Sequence, residues 1–323
     1  MRADYHAFCE AFDPHAIAAT FAGDLAAGIN ACVECCDRHV GTNRVALIWE
    51  NAAGESGSVT FEELQARSAQ VANLLVAHGV QPGDRVAGLL PRTPELVALI
   101  LGVFRAGAVY QPLFTAFGPK AISHRLEISE AKVVVTDLAN RPKLDELDNP
   151  PLIMCSESGG TDIAFSAATD AQSDQFDPVL RVGNDPLLMM FTSGTTGPPK
   201  GMKIPLRALV ANVVYMRYAL DLRDDDVFWN IADPGWAYGL YHGVIGPLLL
   251  GHQTLLYDGP FTVESNAAIV SKFGVTNYTG APTAYRMIIG QGVEAAKPLA
   301  ANLRIASSAG EPLNPEVVRW FKQ

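Results

Sequence analysis

Between residues 60 and 136 the chain alternates helical spacing with short β-rich runs, and this alternation restricts the fold more than any other feature. Thr60-Phe61-Glu62-Glu63 is a capping box: the threonine hydroxyl accepts from the first helical turn and Glu63 reaches back. Phe61, Leu64, Val71, Leu74 and Leu75 then recur at helical spacing, and Gly79 stops the run. Pro82-Gly83 makes a turn, and residues 85–90 read as a strand. Thr93 caps a second helix with Pro94 at its first position, and Gly107 ends it. Residues 109–113 and 132–136 are further β-rich runs. Strands joined by helices predict mostly parallel sheet with both faces covered, an α/β fold.

The rhythm breaks over residues 139–180, which are rich in Asp, Ser, Asn and Pro. This stretch is expected to cross the surface between two packed lobes, residues 1–185 and 186–323. In the second lobe residues 227–232, 254–257, 275–278 and 303–306 read as strands. Helical segments are expected around 206–220, 240–250, 263–273, 282–290 and 315–322.

The apolar run Leu187-Leu188-Met189-Met190-Phe191 leads into Thr192-Ser193-Gly194-Thr195-Thr196-Gly197-Pro198-Pro199-Lys200-Gly201. Such a loop can wrap a polyphosphate. Glycines let backbone N–H groups approach oxygens closely, hydroxyls donate further bonds, and Lys200 adds a full charge. Each charge-assisted bond contributes about 1.5–3 kcal/mol. A Walker loop would place Lys between Gly and Ser/Thr, whereas Lys200 follows Pro199 and precedes Gly201, which disfavours a P-loop kinase. On residue types alone, a solvated surface loop and a phosphate cradle both stay open.

A net charge of −10 argues against broad nucleic-acid binding but leaves room for a phosphate ligand met by local donors. The longest apolar run in a helical segment, residues 96–104, is far short of a membrane span. Met1-Arg2-Ala3-Asp4-Tyr5 leads into no secretory apolar region, and an odd count of five cysteines fits a reducing cytoplasm, the expected location. Cys32, Cys35, Cys36 and His39 have the look of a zinc cluster, but a structural site usually draws its second ligand pair from a separate segment. Cys32 and Cys36 fall on one helical face with Ile29 and read as small buried hydrophobes.

Residues 192–201 resemble the phosphate loop of the adenylate-forming superfamily, which spans acyl-CoA synthetases, peptide-synthetase adenylation domains and luciferases. Phe61-Glu62-Glu63-Leu64, Pro82-Gly83-Asp84-Arg85-Val86, Phe104-Arg105-Ala106-Gly107-Ala108 and residues 128–137 resemble the amino-terminal lobe of acyl-CoA synthetases in the same order. The runs Asp233-Pro234-Gly235-Trp236-Ala237-Tyr238-Gly239 and Gly310-Glu311-Pro312-Leu313-Asn314-Pro315-Glu316 are most similar to acetyl- and medium-chain acyl-CoA synthetases. The chain departs from many relatives at Ile204-Pro205, where they carry a histidine.

The resemblance implies an AMP-forming acid–thiol ligase. A carboxylate attacks the α-phosphorus of ATP, pyrophosphate leaves, and a thiol, that of coenzyme A, displaces AMP. It implies that Thr192, Ser193, Gly194, Thr195, Thr196, Gly197 and Lys200 hold the phosphates, with Mg²⁺ near Thr196. Gly310, Glu311 and Pro312 lie against adenine. Trp236, Ala237, Tyr238, Tyr278 and Gly280 line the acyl pocket, with small Ala237 and large Tyr238 shaping its floor. No catalytic side chain is assigned. Relatives continue past the position of Gln323 into a small lysine-bearing domain, so this polypeptide alone is expected to bind ATP weakly without completing the ligation. The alternative expectation is a non-catalytic nucleotide- or partner-binding module.

Overall fold

The computed structural model describes residues 5–157, 160–192 and 198–322. In chain order the strands are β1 (Val45–Asn51), β2 (Ser56–Thr60), β3 (Arg85–Leu89), β4 (Val109–Pro112), β5 (Val133–Thr136), β6 (Leu152–Cys155) and β7 (Ile163–Ala164). They continue with β8 (Pro186–Thr192), β9 (Lys200–Pro205), β10 (Phe228–Asn230), β11 (Thr254–Asp258), β12 (Asn277–Gly280) and β13 (Ile305–Ser308). Among the described residues they form three sheets: β7-β6-β5-β3-β4-β8-β9, β10-β12-β13 and β11-β1-β2. Pairing is parallel except between β8 and β9 and between β1 and β2, so the expected α/β class with mostly parallel sheet is observed.

The local signals account for the first helices. Thr60 Oγ1 accepts from the Glu63 N–H at 3.2 Å, and a Glu63 carboxylate oxygen accepts from the Thr60 N–H at 2.8 Å. The helix Phe61–Ala77 follows, with Phe61, Leu64, Val71, Leu74 and Leu75 buried. Thr93 occupies the N-cap of the helix Pro94–Arg105 by position, without a side-chain bond to it. That helix is buried from Leu96 to Arg105, so it is apolar around its whole circumference rather than along one stripe. Each of its buried Leu, Ile, Val and Phe side chains contributes about 1.5–3 kcal/mol over an exposed one.

Two expectations need correction. Residues 139–180 are not merely a surface crossing: β6 and β7 fall within them and extend the large sheet at one edge. Pro150-Pro151 ahead of a four-residue strand hid the apolar Leu152-Ile153-Met154-Cys155 run. The expected boundary at residues 185 and 186 is also crossed by one sheet, because β8 and β9 pair onto the β4 side of β3–β7. The sheet β10-β12-β13 lies wholly in the later part, over a separate apolar cluster that includes Trp229, Ile269, Tyr278 and Tyr285. The helices Ala208–Tyr218, Val263–Phe273, Pro282–Gly290 and Pro315–Phe321 fall where expected, but residues 240–245 form a π-helical turn, and a further helix covers Val293–Ala300.

Cys32, Cys35 and Cys36 are fully buried in the main apolar cluster. Burial pushes the Cys32 thiol up to about 11, with Cys35 and Cys36 raised further by the same cause. The three behave as small hydrophobes.

Candidate active site

The carboxyl ends of the parallel strands converge. Register places Asn230 of β10, Thr279 of β12 and Ser307 of β13 in one row. The Thr279 hydroxyl donates to the Ser307 carbonyl at 3.1 Å, and its oxygen lies 2.7 Å from the Tyr238 hydroxyl. Asn230 ties the strand end to the returning chain: its amide donates to the Tyr238 carbonyl at 3.3 Å, and its side-chain oxygen accepts from the Ala232 N–H at 2.9 Å. Thr279 is fully buried, so its hydroxyl needs these partners.

The two sheets meet at Gly235. Asp233 accepts from the Gly235 N–H at 2.7 Å, which forms a tight turn, and burial raises the Asp233 carboxyl. A Cβ on Gly235 would lie 2.5 Å from Phe114 Cα, so only glycine permits this approach to the segment leaving β4. Trp236 then lies beside Phe114 and Phe117, with ring centroids at 5.7 and 5.2 Å. It keeps 45% of its surface exposed, a large apolar wall facing solvent. Behind Tyr238, the His242 ring stacks on Tyr215 at 3.9 Å. Burial holds that imidazole down at about 4, and its Nδ1 is buried without a hydrogen-bond partner among the described residues.

Thr192 ends β8 and Lys200 opens β9, directly opposite in register, with both side chains exposed. Ser193, Gly194, Thr195, Thr196 and Gly197 lie outside the described residues. The arms that flank them are held by the helix Pro119–Ser129. His124 Nε2 lies 3.0 Å from the Pro199 carbonyl, and the Arg125 guanidinium lies over the Phe117 ring at 4.1 Å and the Phe191 ring at 5.6 Å. No group of three His, Cys, Asp or Glu side chains that could hold a metal occurs among the described residues.

After β13 the chain turns at Gly310, whose φ of +94° lies in the region that favours glycine. Apart from its own chain neighbours, no described atom comes within 4 Å of a Cβ built there. Glu311 accepts from the Thr283 hydroxyl at 2.9 Å and pairs with Arg286 at 2.7 Å. Ser308 Oγ donates to the Gly280 carbonyl at 2.8 Å, linking the end of β13 to the end of β12.

Trp236, Ala237, Tyr238 and Gly280 therefore gather around the strand ends, with Gly310, Glu311 and Pro312 beside them. Tyr278 is the exception. Its side chain is buried in the core against Trp229 and Tyr285, and its hydroxyl donates to Asn266 at 2.9 Å. Side chains alternate along a strand, so Thr279 rather than Tyr278 faces Tyr238. Period-two alternation from Asn277 was the signal for Thr279; nothing in the local sequence marked Phe114, Phe117 or His124.

The fold matches that of known proteins. The description "AMP-binding enzyme" fits residues 35–323. The chain belongs to the AMP-binding enzyme family. It is 39% identical over 303 residues to acetyl-coenzyme A synthetase of Bacillus subtilis, covering 90% of this chain and 53% of that one. It is 33% identical over 322 residues to acetyl-coenzyme A synthetase of Halorhodospira halophila, covering 91% and 50%. The chain thus spans about half the length of the curated relatives it matches. A crystal structure of Brucella canis acyl-CoA synthetase superposes with a TM-score of 0.95 at 54% identity, over 98% of this chain and 59% of that one. The α/β architecture of this chain is therefore that of an acyl-CoA synthetase over the matched part.

Proposed function

We propose that the chain carries the nucleotide- and carboxylate-binding part of an AMP-forming acyl-CoA synthetase. A carboxylate oxygen bonds to the α-phosphorus of MgATP as the bond to the β-phosphate oxygen breaks, giving acyl-adenylate and pyrophosphate. The thiol of coenzyme A then displaces AMP to form the thioester. Two anions meet in the first step, so the site must supply directed donors and positive charge. In this reading Thr192, Ser193, Gly194, Thr195, Thr196, Gly197 and Lys200 grip the β- and γ-phosphates, and Mg²⁺ enters with the nucleotide. Gly310, Glu311 and Pro312 lie along adenine. Trp236, Ala237, Tyr238 and Gly280, with Thr279, bound the acyl group. An ionised carboxylate needs no general base.

The observation that carries the reading is the meeting of sequence-distant segments at carboxyl ends of parallel strands: Tyr238 lies against Thr279 and Thr279 against Ser307, while Trp236 lies beside Phe117, which Arg125 shares with Phe191 near the end of β8. Such ends are where open α/β sheets take ligands. A location in the cytoplasm, which the odd count of five cysteines supports, goes with this reading, and the length of the acyl chain is left open. Titration calorimetry of Lys200→Ala tests it. ATP affinity should fall by about 1.5–3 kcal/mol with AMP affinity unchanged, because AMP lacks the gripped phosphates. Equal ATP affinity in the variant and the unmodified chain refutes the loop assignment.

A further inference from the structure

The turn at residues 310–312 belongs to no helix or strand, so what fixes its path is a question for its side chains. Between residues 309 and 313, the side-chain hydrogen bonds among the described residues all run through Glu311. Both of its carboxylate oxygens lie 2.9 Å from Thr283 Oγ1 and share its one hydroxyl proton. Arg286 donates to the same carboxylate at 2.7 Å and to Thr283 Oγ1 at 2.8 Å. The three groups close a triangle. Thr283 and Arg286 stand three residues apart on the helix Pro282–Gly290 and so share a face. These two hydrogen bonds, Arg286 first, hold the Glu311 carboxyl below its ordinary range.

The same helix is anchored from beneath. The Tyr285 hydroxyl donates to the Ser307 carbonyl at 2.6 Å, and its ring is buried in the core. The helix is thus a rigid base fixed to β13, and Arg286 and Thr283 reach from it to the turn that β13 enters. Gly310 has a conformation that glycine alone adopts readily, and nothing else crowds it. A turn with a freely rotating glycine needs an external hold to keep one path.

We propose that Arg286 and Thr283 are positioning residues for the nucleotide. By holding the Glu311 carboxylate they fix the backbone of Gly310–Pro312 at the spacing a purine ring requires, without touching the ring themselves. The inference rests on the adenine assignment made above. Affinity and base selectivity for purine nucleotides then depend on a pair of side chains outside the ligand contact.

The test is titration calorimetry with AMP, ATP and GTP on the full chain and on Arg286→Ala, Arg286→Lys, Arg286→Glu and Lys200→Ala. Arg286→Ala should weaken AMP and ATP by the same factor, roughly three- to fivefold, and narrow the preference for ATP over GTP. Arg286→Lys should recover most of the loss, and Arg286→Glu, which repels Glu311, should lose more. Thermal unfolding of all four should stay close to that of the unmodified chain, since the pair is half exposed. If Arg286→Ala and Arg286→Glu leave both affinity and base preference intact while Lys200→Ala selectively loses ATP, the site reading stands and the positioning role falls. If the unmodified chain binds neither AMP nor ATP, or Lys200→Ala weakens AMP as much as ATP, the reading beneath it falls and takes the inference with it.

Discussion

Replacing Gly235 with alanine tests the contact that joins the two sheets. The added Cβ would lie 2.5 Å from Phe114 Cα and 2.9 Å from both Phe114 N and Phe114 Cβ, where ordinary contact begins near 3.4 Å. Three of the closest approaches are thus to one residue, two of them to its backbone, so no side-chain rotation relieves them. The segments 113–117 and 233–236 must part by about 1 Å, an overpacking strain of about 1–3 kcal/mol. The unfolding entropy of a chain of 323 residues is about 0.7 kcal/mol per kelvin, so a mid-range strain lowers Tm by about 3 °C. Parting those segments also moves Trp236 away from Phe114 and Phe117, and carboxylate-dependent pyrophosphate release by any complex able to form the adenylate should fall with it. Differential scanning calorimetry reads the first effect. Gly290→Ala is the control: its Cβ would meet nothing within 4 Å at the end of the helix Pro282–Gly290, so its Tm should hold or rise. A Gly235→Ala protein as stable as the unmodified chain would refute the close-approach argument.

Two further predictions concern pH. Asp226 is driven up by burial, but bonds from Arg304, Thr276, the Arg223 N–H and Asn277 outweigh this and hold it at about 2. Its folded value lies below the unfolded one, so its stabilisation is complete above about pH 4 and is lost as pH falls towards 2. Asp226→Asn should be less stable at pH 7, with a shallower loss of Tm below pH 4 in calorimetric scans. His242 works over a higher range. Burial lowers it from 6.5 to about 4, so the unfolded chain takes up a proton that the folded chain refuses, and stability declines as pH falls from about 6.5 to 4. His242→Phe keeps the ring stack on Tyr215, removes the unpartnered Nδ1 and should flatten that part of the Tm–pH curve; an unchanged slope would count against the buried neutral imidazole.

Local grammar made residues 60–107 legible, whereas β1, β2 and the helix Pro119–Ser129 carried no signal that was read. The capping box at Thr60, the stop at Gly79 and the proline at Pro94 act within a few residues, and the structure places each element where they put it. The edge strands β6 and β7 escaped notice because they are short and flanked by polar or proline-rich sequence. Tyr278 was misplaced for a different reason: an aromatic residue at a strand end suits a pocket or a core equally well, and only the register of β12 between β10 and β13 decides which way it points. Phe114, Phe117 and His124 reach the site by tertiary contact with residues about 75 to 122 positions away, a relation that no local period encodes.

The pairing of β1 with β11 bears on how such a chain is made. Val45–Asn51 can zip to β2 as soon as both leave the ribosome, but its other edge waits for Thr254–Asp258, about 200 residues later. At ~5–20 residues per second that wait is roughly 10–40 s, during which an apolar rim of Ala46, Leu47, Ile48 and Trp49 stays open to any passing strand. Slower translation would lengthen this vulnerable interval, and nascent-chain chaperones would have the most to shield here.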